Sequence, residues 1–311
     1  MRNKNSFTSQ VKEELASNSY PSDDRLRALL SAYIRINGSL VFRHKKTLLQ
    51  LNTENAKIGR FIYETINEIY HANAELIVKE KRNLDKSKSY MIEISDASEA
   101  IMDDLEISFL EGKISKNIVK NDDTISGYLA GAFLAAGSVN SPVTSNYHLE
   151  IALSDEEHAR FIIKLLERFI EGAKISTRRG KYIVYLKKAE SIADFLRLVG
   201  AHEALMKFEN VRINRDYSNS LQRLYNCEIA NEIKSINAAK KQIETIEKIK
   251  EAGKYLSLPE KLRNVAEVRI ENQDYSLLEM CDAYQKRYGE SISKSGMKHR
   301  LNKIEEYASR L

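Results

Sequence analysis

The stretch from Ser293 to Lys303, near the end of the 311-residue chain, has the clearest capacity for chemistry. It holds four lysine or arginine residues and no acid. Cationic side chains neutralise phosphate groups, whereas amide, imidazole and hydroxyl groups hydrogen-bond to the edges of bases. The residues of these kinds are Ser293, Lys294, Ser295, Lys298, His299, Arg300, Asn302 and Lys303. Their composition predicts contacts with nucleic acid.

Metal and disulfide chemistry is not indicated by the sequence. Cys227 and Cys281 are the only cysteines, and neither has a histidine or cysteine at the spacing of metal ligands. We therefore expect two structural thiols, no metal site and no cofactor.

A helix that begins at Ser293 would place the polar residues on one face. Ser293 is a suitable N-cap, and the apolar residues after it recur at steps of four, three and four, which is typical of a buried seam. These apolar residues are Met297, Leu301, Ile304 and Ala308. The opposite face carries Ser295, Lys298, His299, Asn302 and Lys303, flanked by Lys294 and Arg300.

Two further helices are predicted before this one, at 259–270 and 276–288. The second of them begins with a capping box formed by Ser276 and Glu279. This order predicts a helix-turn-helix domain whose last helix enters the major groove, with Ser295, Lys298, His299 and Asn302 as the base readers. The alternative is a solvated basic face in a small helical bundle. Gly296 inside the helix suggests that another helix approaches closely there.

An internal repeat organises the larger, N-terminal part of the chain. Residues 24–107 and 124–199 share the order helix, two strands, helix, two strands, helix, so the predicted fold class is α+β. Each first helix runs into Gly-Ser, at Gly38 and Gly137, and we expect that glycine to close it. The predicted strands are 48–51, 74–79 and 90–94 in the first copy and 148–153, 173–178 and 182–186 in the second.

A helical connector joins the repeats to the C-terminal domain. Isoleucines recur at three- to four-residue steps between residues 220 and 253, which predicts either one long helix or two shorter helices packed back on the core. Pro259 then favours the start of a new helix. The predicted domains are an N-terminal helix at 1–23, the duplicated domain at 24–212, the connector at 213–257 and the helix-turn-helix domain at 258–311.

The stretch Leu129–Gly137 (LAGAFLAAG) resembles the motif of LAGLIDADG homing endonucleases, and Leu30–Gly38 is a weaker match. The resemblance implies a pseudo-twofold pair of helices with two four-stranded sheets that form a saddle. In that family a carboxylate just before the last glycine binds the catalytic metal. Asn37 and Ala136 occupy these positions, and without carboxylates we expect no cleavage of DNA.

Basic residues in the strand regions and the connector are candidates for auxiliary DNA contacts. They are Lys79, Lys81 and Arg82 in the first copy, Arg178, Arg179 and Lys181 in the second, and Arg223 in the connector. Such residues would follow the phosphate backbone without reading sequence. Two alternatives stay open: the hairpin tips serve only solubility, or the former nuclease surface binds protein.

Five motifs together resemble the WhiA family along essentially the whole chain. They lie at Ser6–Leu15, Gly131–Val139, Tyr147–Glu150, Arg223–Asn231 and Ile292–Leu301 (ISKSGMKHRL), the last of which is highly specific. The resemblance implies a transcriptional regulator of sporulation septation, cell division and chromosome segregation that lacks nuclease acids. The chain departs from the usual family pattern at Tyr217 and Gln222.

Composition and charge agree with this interpretation. The net charge is +5, no apolar run approaches the roughly 18 residues that span a bilayer, and Met1–Ser9 lacks the apolar core of a signal peptide. We expect a cytoplasmic, nucleoid-associated, non-enzymatic regulator. Its expected partners are double-stranded DNA and, as a protein candidate, another transcription regulator or a sigma factor. The alternatives are a nucleoid-associated architectural protein of low specificity and an RNA-binding, maturase-like protein.

Overall fold

The computed structural model describes residues 6–20, 22–43, 46–80, 88–109, 114–144 and 146–311. The chain forms two compact units, Met1–Arg215 and Asp216–Leu311. Within the described residues, the first unit holds both sheets and the second contains helices only. No helix in these ranges is long and apolar enough to cross a bilayer.

The first unit contains one series of elements twice, after a short helix α1 (Phe7–Leu15). The first copy comprises α2 (Asp23–Asn37), β1 (Gly38–Arg43), β2 (Lys46–Thr53), α3 (Ala56–Tyr70), β3 (Ala74–Glu80), β4 (Lys88–Ile94) and α4 (Ser98–Asp104). After a 3₁₀ turn at Lys116–Val119, the second copy comprises α5 (Asp122–Ala136), β5 (Gly137–Val139), β6 (Leu149–Leu153), α6 (Glu156–Leu166), β7 (Lys174–Arg178), β8 (Lys181–Leu186) and α7 (Ala189–Val199). The predicted element order and the α+β class are confirmed.

The two sheets have equivalent topologies. Their strand orders are β1-β2-β4-β3 and β5-β6-β8-β7, and every pairing is antiparallel. One face of each sheet packs on helices. Alternate strand residues are therefore buried, such as Leu49 and Ile92 in the first sheet and Ile151 and Val184 in the second. The intervening residues point away from the core and form the outward face.

Gly38 and Gly137 are the C-caps of α2 and α5, as expected, and both are in extended rather than left-handed conformation, with φ of −79° and −77°. Each opening helix continues directly into a strand, β1 or β5, for which no residues were predicted from the sequence. The glycines are required by space. A Cβ atom at Gly38 would overlap the carbonyl oxygen of Ile34, and one at Gly137 would overlap the ring of Phe133.

Helices α2 and α5 pack against each other at the centre of the first unit, and two glycines of α5 set their distance. A Cβ atom at Gly131 would overlap the carbonyl oxygen of Leu29, and one at Gly127 would overlap that of Arg25. The backbones of the two helices therefore touch without intervening side chains. The opening helices of both repeats share one core, which includes Leu29, Tyr33 and Tyr128.

Helix α1 completes the edge of the second sheet. The hydroxyl of Thr8 donates to the carbonyl oxygen of Val139 at 2.8 Å and accepts from its backbone N–H at 2.9 Å. Val139 ends the short edge strand β5, so a side chain satisfies the two backbone groups that a further strand would otherwise pair. Phe7, Val11 and Leu15 bury the inner face of α1 in the core of the first unit.

A buried histidine lies between helices of the second repeat. His158 is 3% exposed, and its Nε2 lies 2.9 Å from the hydroxyl of Tyr128. Burial, followed by the nearby positive charge of Arg35, lowers the pKa of His158 from 6.5 to about 4. The imidazole is therefore neutral in the folded protein at neutral pH.

We expect His158 to make folding sensitive to mild acid. Because its folded pKa lies below its unfolded value, its contribution is complete above pH 6.5 and is lost as the pH falls from there toward 4. The first unit should lose about 2 kcal/mol of unfolding free energy between pH 7.5 and pH 5 from this group. Urea titrations at both pH values, followed by circular dichroism, measure the loss.

The variant His158→Gln should lose stability at neutral pH, yet show a pH dependence smaller by this amount. Lys164→Gln, an exposed change on the same helix, is the control and should keep the wild-type dependence. An unchanged pH dependence in His158→Gln would show that other groups cause it.

The second unit is built on the far part of α8 (His202–Glu251), which is one continuous helix. Of the two alternatives for the connector, the single long helix is thus confirmed. After a 3₁₀ turn at Tyr255–Ser257, α9 (Glu260–Glu271), α10 (Leu277–Tyr288) and α11 (Lys294–Ala308) follow, close to their predicted limits. Their core includes Ile246, Val265, Met280, Met297 and Leu301.

Candidate nucleic-acid interface

The turn between α10 and α11 fixes how the last helix is presented. At the start of α10, the backbone N–H of Ser276 donates to Glu279 Oε2 at 2.7 Å, and the N–H of Glu279 donates to Ser276 Oγ at 3.4 Å. The predicted capping box is confirmed. At its end, Gly289 adopts φ of +71°, a left-handed conformation that favours glycine and reverses the chain.

Ser293 caps α11 as its sequence position predicted. Its hydroxyl accepts a hydrogen bond from the N–H of Gly296 at 3.1 Å and lies 3.1 Å from the hydroxyl of Ser295. The sequence suggested that another helix comes close to Gly296. Among the described residues, the atoms nearest to the place that a Cβ atom would take at Gly296 do not come from another helix. The nearest atoms there belong to Ile292 and Ser293, in the turn just before the helix.

One face of α11 is buried and the opposite face is exposed. Met297, Leu301 and Ile304 are at most 2% exposed and pack in the core of the second unit. Between Lys294 and Lys303, the exposed residues are Lys294, Ser295, Lys298, His299, Asn302 and Lys303. Within the described part of the chain, no ion pair engages the three lysines of this set. We call these six residues the α11 face.

Charge is divided along α11. Its acids, Glu305 and Glu306, lie in the last part of the helix, and Glu305 forms an ion pair with Lys241 of α8 at 3.2 Å. The α11 face, which ends at Lys303, therefore carries cations and hydrogen-bonding groups without a carboxylate among them. Anions are favoured at a helix N-terminus, so the backbone at the start of α11 also favours a phosphate group there.

Arg300, predicted as a nucleic-acid contact, is held by contacts within the second unit. Its Nη1 donates to the hydroxyl of Tyr284 at 2.8 Å, and its guanidinium lies 5.3 Å from the centre of that ring. Its Nη2 is 3.6 Å from Glu290 in the α10–α11 turn. Arg300 thus connects α11 to α10 and to the turn between them. Its position between Met297 and Ile304, at the border of the apolar seam, was a signal that it would turn inward.

Arg269 is a residue that the sequence analysis missed. It is 2% exposed, and its Nη1 donates to the carbonyl oxygens of Tyr275 at 2.7 Å, Asn272 at 3.3 Å and Gln273 at 3.4 Å. Among the described residues, its Nε has no hydrogen-bond partner. Burial lowers the pKa of the guanidinium, which holds together the α9–α10 turn. The signal for its burial is its position, since Leu262, Val265, Ala266 and Arg269 follow the three- to four-residue steps of a buried helix face.

The auxiliary cations occupy different surroundings. Arg178 and Lys181 pair across the turn of the β7–β8 hairpin, where Arg179 and Gly180 adopt φ of +51° and +74°. Both turn residues thus have the positive φ that a tight type I′ hairpin requires. All three cations of this hairpin tip are exposed. The tip presents three positive charges at the end of the second sheet.

Lys79 and Arg223 are exposed, and each has a contact within the protein. Lys79 Nζ lies 3.3 Å from the sulfur of Met91, and Arg223 donates from Nε to the carbonyl oxygen of Asn219 at 3.3 Å on its own helix. Lys81 and Arg82 lie outside the described residues.

Asn37 and Ala136 are the last residues of α2 and α5, both half-buried, at the positions that the endonuclease resemblance assigned to metal ligands. The described residues contain no cluster of three histidine, cysteine or acidic side chains that could hold a metal ion. A methyl group and a neutral amide are also poor ligands for Mg²⁺, which prefers carboxylate oxygen.

Three family models match the chain in order. They describe the WhiA N-terminal LAGLIDADG-like domain over residues 23–108, the WhiA LAGLIDADG-like domain over 125–218 and the WhiA C-terminal HTH domain over 221–308. Together they cover both repeats, α8 except for Asn219 and Ser220, and the helices of the second unit.

Whole-chain relatives agree with the domain matches. The chain is 44% identical over 309 residues to the "Probable cell division protein WhiA" of Enterococcus faecalis, covering 98% of both chains. It is 44% identical over 310 residues to the protein of that name in Bacillus subtilis, covering 98% of this chain and 97% of the relative. The solved full-length WhiA from Thermatoga maritima matches with a TM-score of 0.59 and 26% identity over 99% of both chains. The chain therefore belongs to the WhiA family.

Proposed function

We propose that the chain is a DNA-binding regulator of cell division that reads its target with α11. The observation that carries this proposal is the α11 face, a set of exposed cations and hydrogen-bonding groups opposite a buried seam. Relatives that match the whole chain are named probable cell division proteins, which supports the biological setting. The HTH match over residues 221–308 supports the docking mode.

In this proposal, Ser295, Lys298, His299 and Asn302 contact base edges in the major groove, while Lys294 and Lys303 contact phosphates. Ser293 defines the start of the helix, and Arg300 positions the helix without touching DNA. Arg178, Arg179 and Lys181 at the hairpin tip are auxiliary phosphate contacts. Lys79, Lys81, Arg82 and Arg223 complete that auxiliary set.

We further propose that the chain controls transcription, takes part in chromosome segregation and associates with the nucleoid. A sigma factor or another regulator is the proposed protein partner. The proposed activity does not include DNA cleavage, because Asn37 and Ala136 replace the carboxylates that two-metal catalysis requires.

Sequence-specific recognition can be tested by comparing two kinds of duplex. Target duplexes are first obtained by crosslinking and immunoprecipitation of the full-length protein. We expect Lys298→Ala and His299→Ala each to weaken target binding about tenfold, since one base contact contributes about 1–3 kcal/mol of discrimination. Binding to a random duplex of equal length should weaken less, because phosphate contacts dominate it. Fluorescence anisotropy at fixed salt concentration measures both.

Lys248→Ala is the matched control, because it removes one exposed lysine from α8 rather than α11. It should bind both duplexes as the wild type does. Equal losses on target and random duplex in the α11 variants would instead favour an architectural protein of low specificity.

A further inference from the structure

The outward face of the second sheet has an unusual composition. Across the four strands, Ser138, Glu150, Tyr185 and Lys174 lie opposite one another in register. Their chain neighbours Ile151, Val184 and Leu186 are buried on the other side of the sheet, which confirms the direction in which this row points. The row is continued by Ile183 and Ser176 toward the hairpin tip.

An aromatic surface lies at the centre of this face. The rings of His148 and Tyr185 are 5.9 Å apart between centroids with an interplanar angle of 28°. Lys187 Nζ lies 5.0 Å from the centre of the Tyr185 ring. We call His148, Ile183 and Tyr185, together with the cations around them, the second-sheet platform.

Cations surround this aromatic centre. Lys174, Arg178, Lys181 and Lys187 are all exposed, and the register or the ring contact places each of them on the outward face. Among the described strand residues of this face, the only acid is Glu150. Its carboxylate accepts from the hydroxyl of Ser138 at 3.4 Å and lies 3.0 Å from Nε2 of His148. Its charge is thus partly satisfied within the protein.

The first sheet lacks this combination at the equivalent positions. Gln50, Glu93 and Glu75 lie opposite one another there, and Gln50 Nε2 donates to Glu93 Oε2 at 2.6 Å. Two acids therefore replace Tyr185 and Lys174. The two repeats share a backbone topology but present different chemistry, so the platform is not a consequence of the fold alone.

We propose that the second-sheet platform binds single-stranded nucleic acid. A single strand exposes the flat faces of its bases, which stack on aromatic side chains, whereas a duplex hides those faces and offers only edges. Tyr185 supplies the stacking surface, and the four surrounding cations supply positive charge for the phosphates of a strand that crosses the sheet. The proposal gives Arg178 and Lys181 a single-stranded ligand besides the duplex phosphates of the proposed function, and it does not depend on α11.

Binding can be measured with the full-length protein and three labelled probes: a twelve-nucleotide oligo-dT, an oligo-U of the same length and a random duplex. The variant Tyr185→Thr removes the ring but keeps a good strand former, and we expect it to bind single strands about tenfold more weakly. Tyr185→Phe keeps the ring and should stay within about twofold of the wild type. Preference for one oligonucleotide identifies DNA or RNA as the source of the strand.

A second variant tests the cations independently of the sheet packing. Lys174→Gln combined with Lys181→Gln changes only exposed side chains, and it should weaken single-strand binding and flatten its dependence on salt. Ile77→Thr, at an outward position of the first sheet opposite Met91, is the control and should bind like the wild type. Circular dichroism melting confirms that each variant is folded.

The test separates this site from the α11 face. Lys298→Ala should weaken target-duplex binding while leaving the Tyr185-dependent single-strand binding in place. The proposal fails if Tyr185→Thr binds both oligonucleotides as tightly as the wild type. It also fails if Tyr185→Thr weakens duplex and single-strand binding equally, because the platform would then act as a duplex surface.

Discussion

Replacing Gly131 with alanine is expected to destabilise the first unit by about 3 kcal/mol or more. The added methyl group would overlap the backbone carbonyl of Leu29, and a backbone group cannot swing aside as the end of a flexible side chain can. Helices α2 and α5 must then separate, and the side chains around them lose contact. In an exposed helix the same change would instead stabilise the protein by about 1 kcal/mol.

The effect of Gly131→Ala is measured by urea unfolding of the full-length chain, followed by circular dichroism. Ala136→Ser, on the same helix at a half-buried position, is the control and should change stability far less. A Gly131→Ala protein as stable as the wild type would show that α2 and α5 do not pack as closely as described.

The second large effect is expected from Arg269→Ala, at about 3 kcal/mol. The substitution leaves the carbonyl oxygens of Asn272, Gln273 and Tyr275 without their shared donor and empties a space inside the second unit. Since these carbonyls form the turn that leads into α10, we expect weaker binding to target duplexes as well. Thermal unfolding and fluorescence anisotropy measure the two consequences.

Arg269→Lys separates charge from geometry. An ammonium group can reach one or two of the carbonyl oxygens but cannot reproduce the planar guanidinium, so it should recover only part of the stability. Lys261→Ala, on the exposed side of the same helix, should alter stability by at most about 0.5 kcal/mol. A stability of Arg269→Ala equal to that of Lys261→Ala would contradict the proposed role of the buried guanidinium.

Most of the fold could be predicted because its signals are local and repeated. The apolar steps of α11, the capping box at Ser276 and the two similar repeats each specify an element without reference to distant residues. The direct passage from helix to strand at Gly38 and Gly137 could not be predicted in the same way. There the glycine serves a steric contact with its own helix, which residue type alone does not distinguish from an ordinary cap.

The candidate site was predictable where exposure follows from periodicity. Lys298, His299 and Asn302 lie opposite the apolar seam, and the structure leaves them exposed. Arg300 and Arg269 were different, because their partners come from other elements: Tyr284 and Glu290 for the first, and a turn for the second. An arginine in a sequence shows that a charge is present, but only the tertiary structure shows what it contacts.

Because side chains alternate across each sheet, its two faces are under different structural constraints. Residues that face the helices must fit a shared interior, so both repeats place apolar side chains there. Residues on the outward face have no such constraint, and Tyr185 in the second repeat occupies the position that Glu93 occupies in the first. A LAGLIDADG-like architecture is thus information about interior packing, whereas the ligand has to be inferred from the solvent side of each repeat separately.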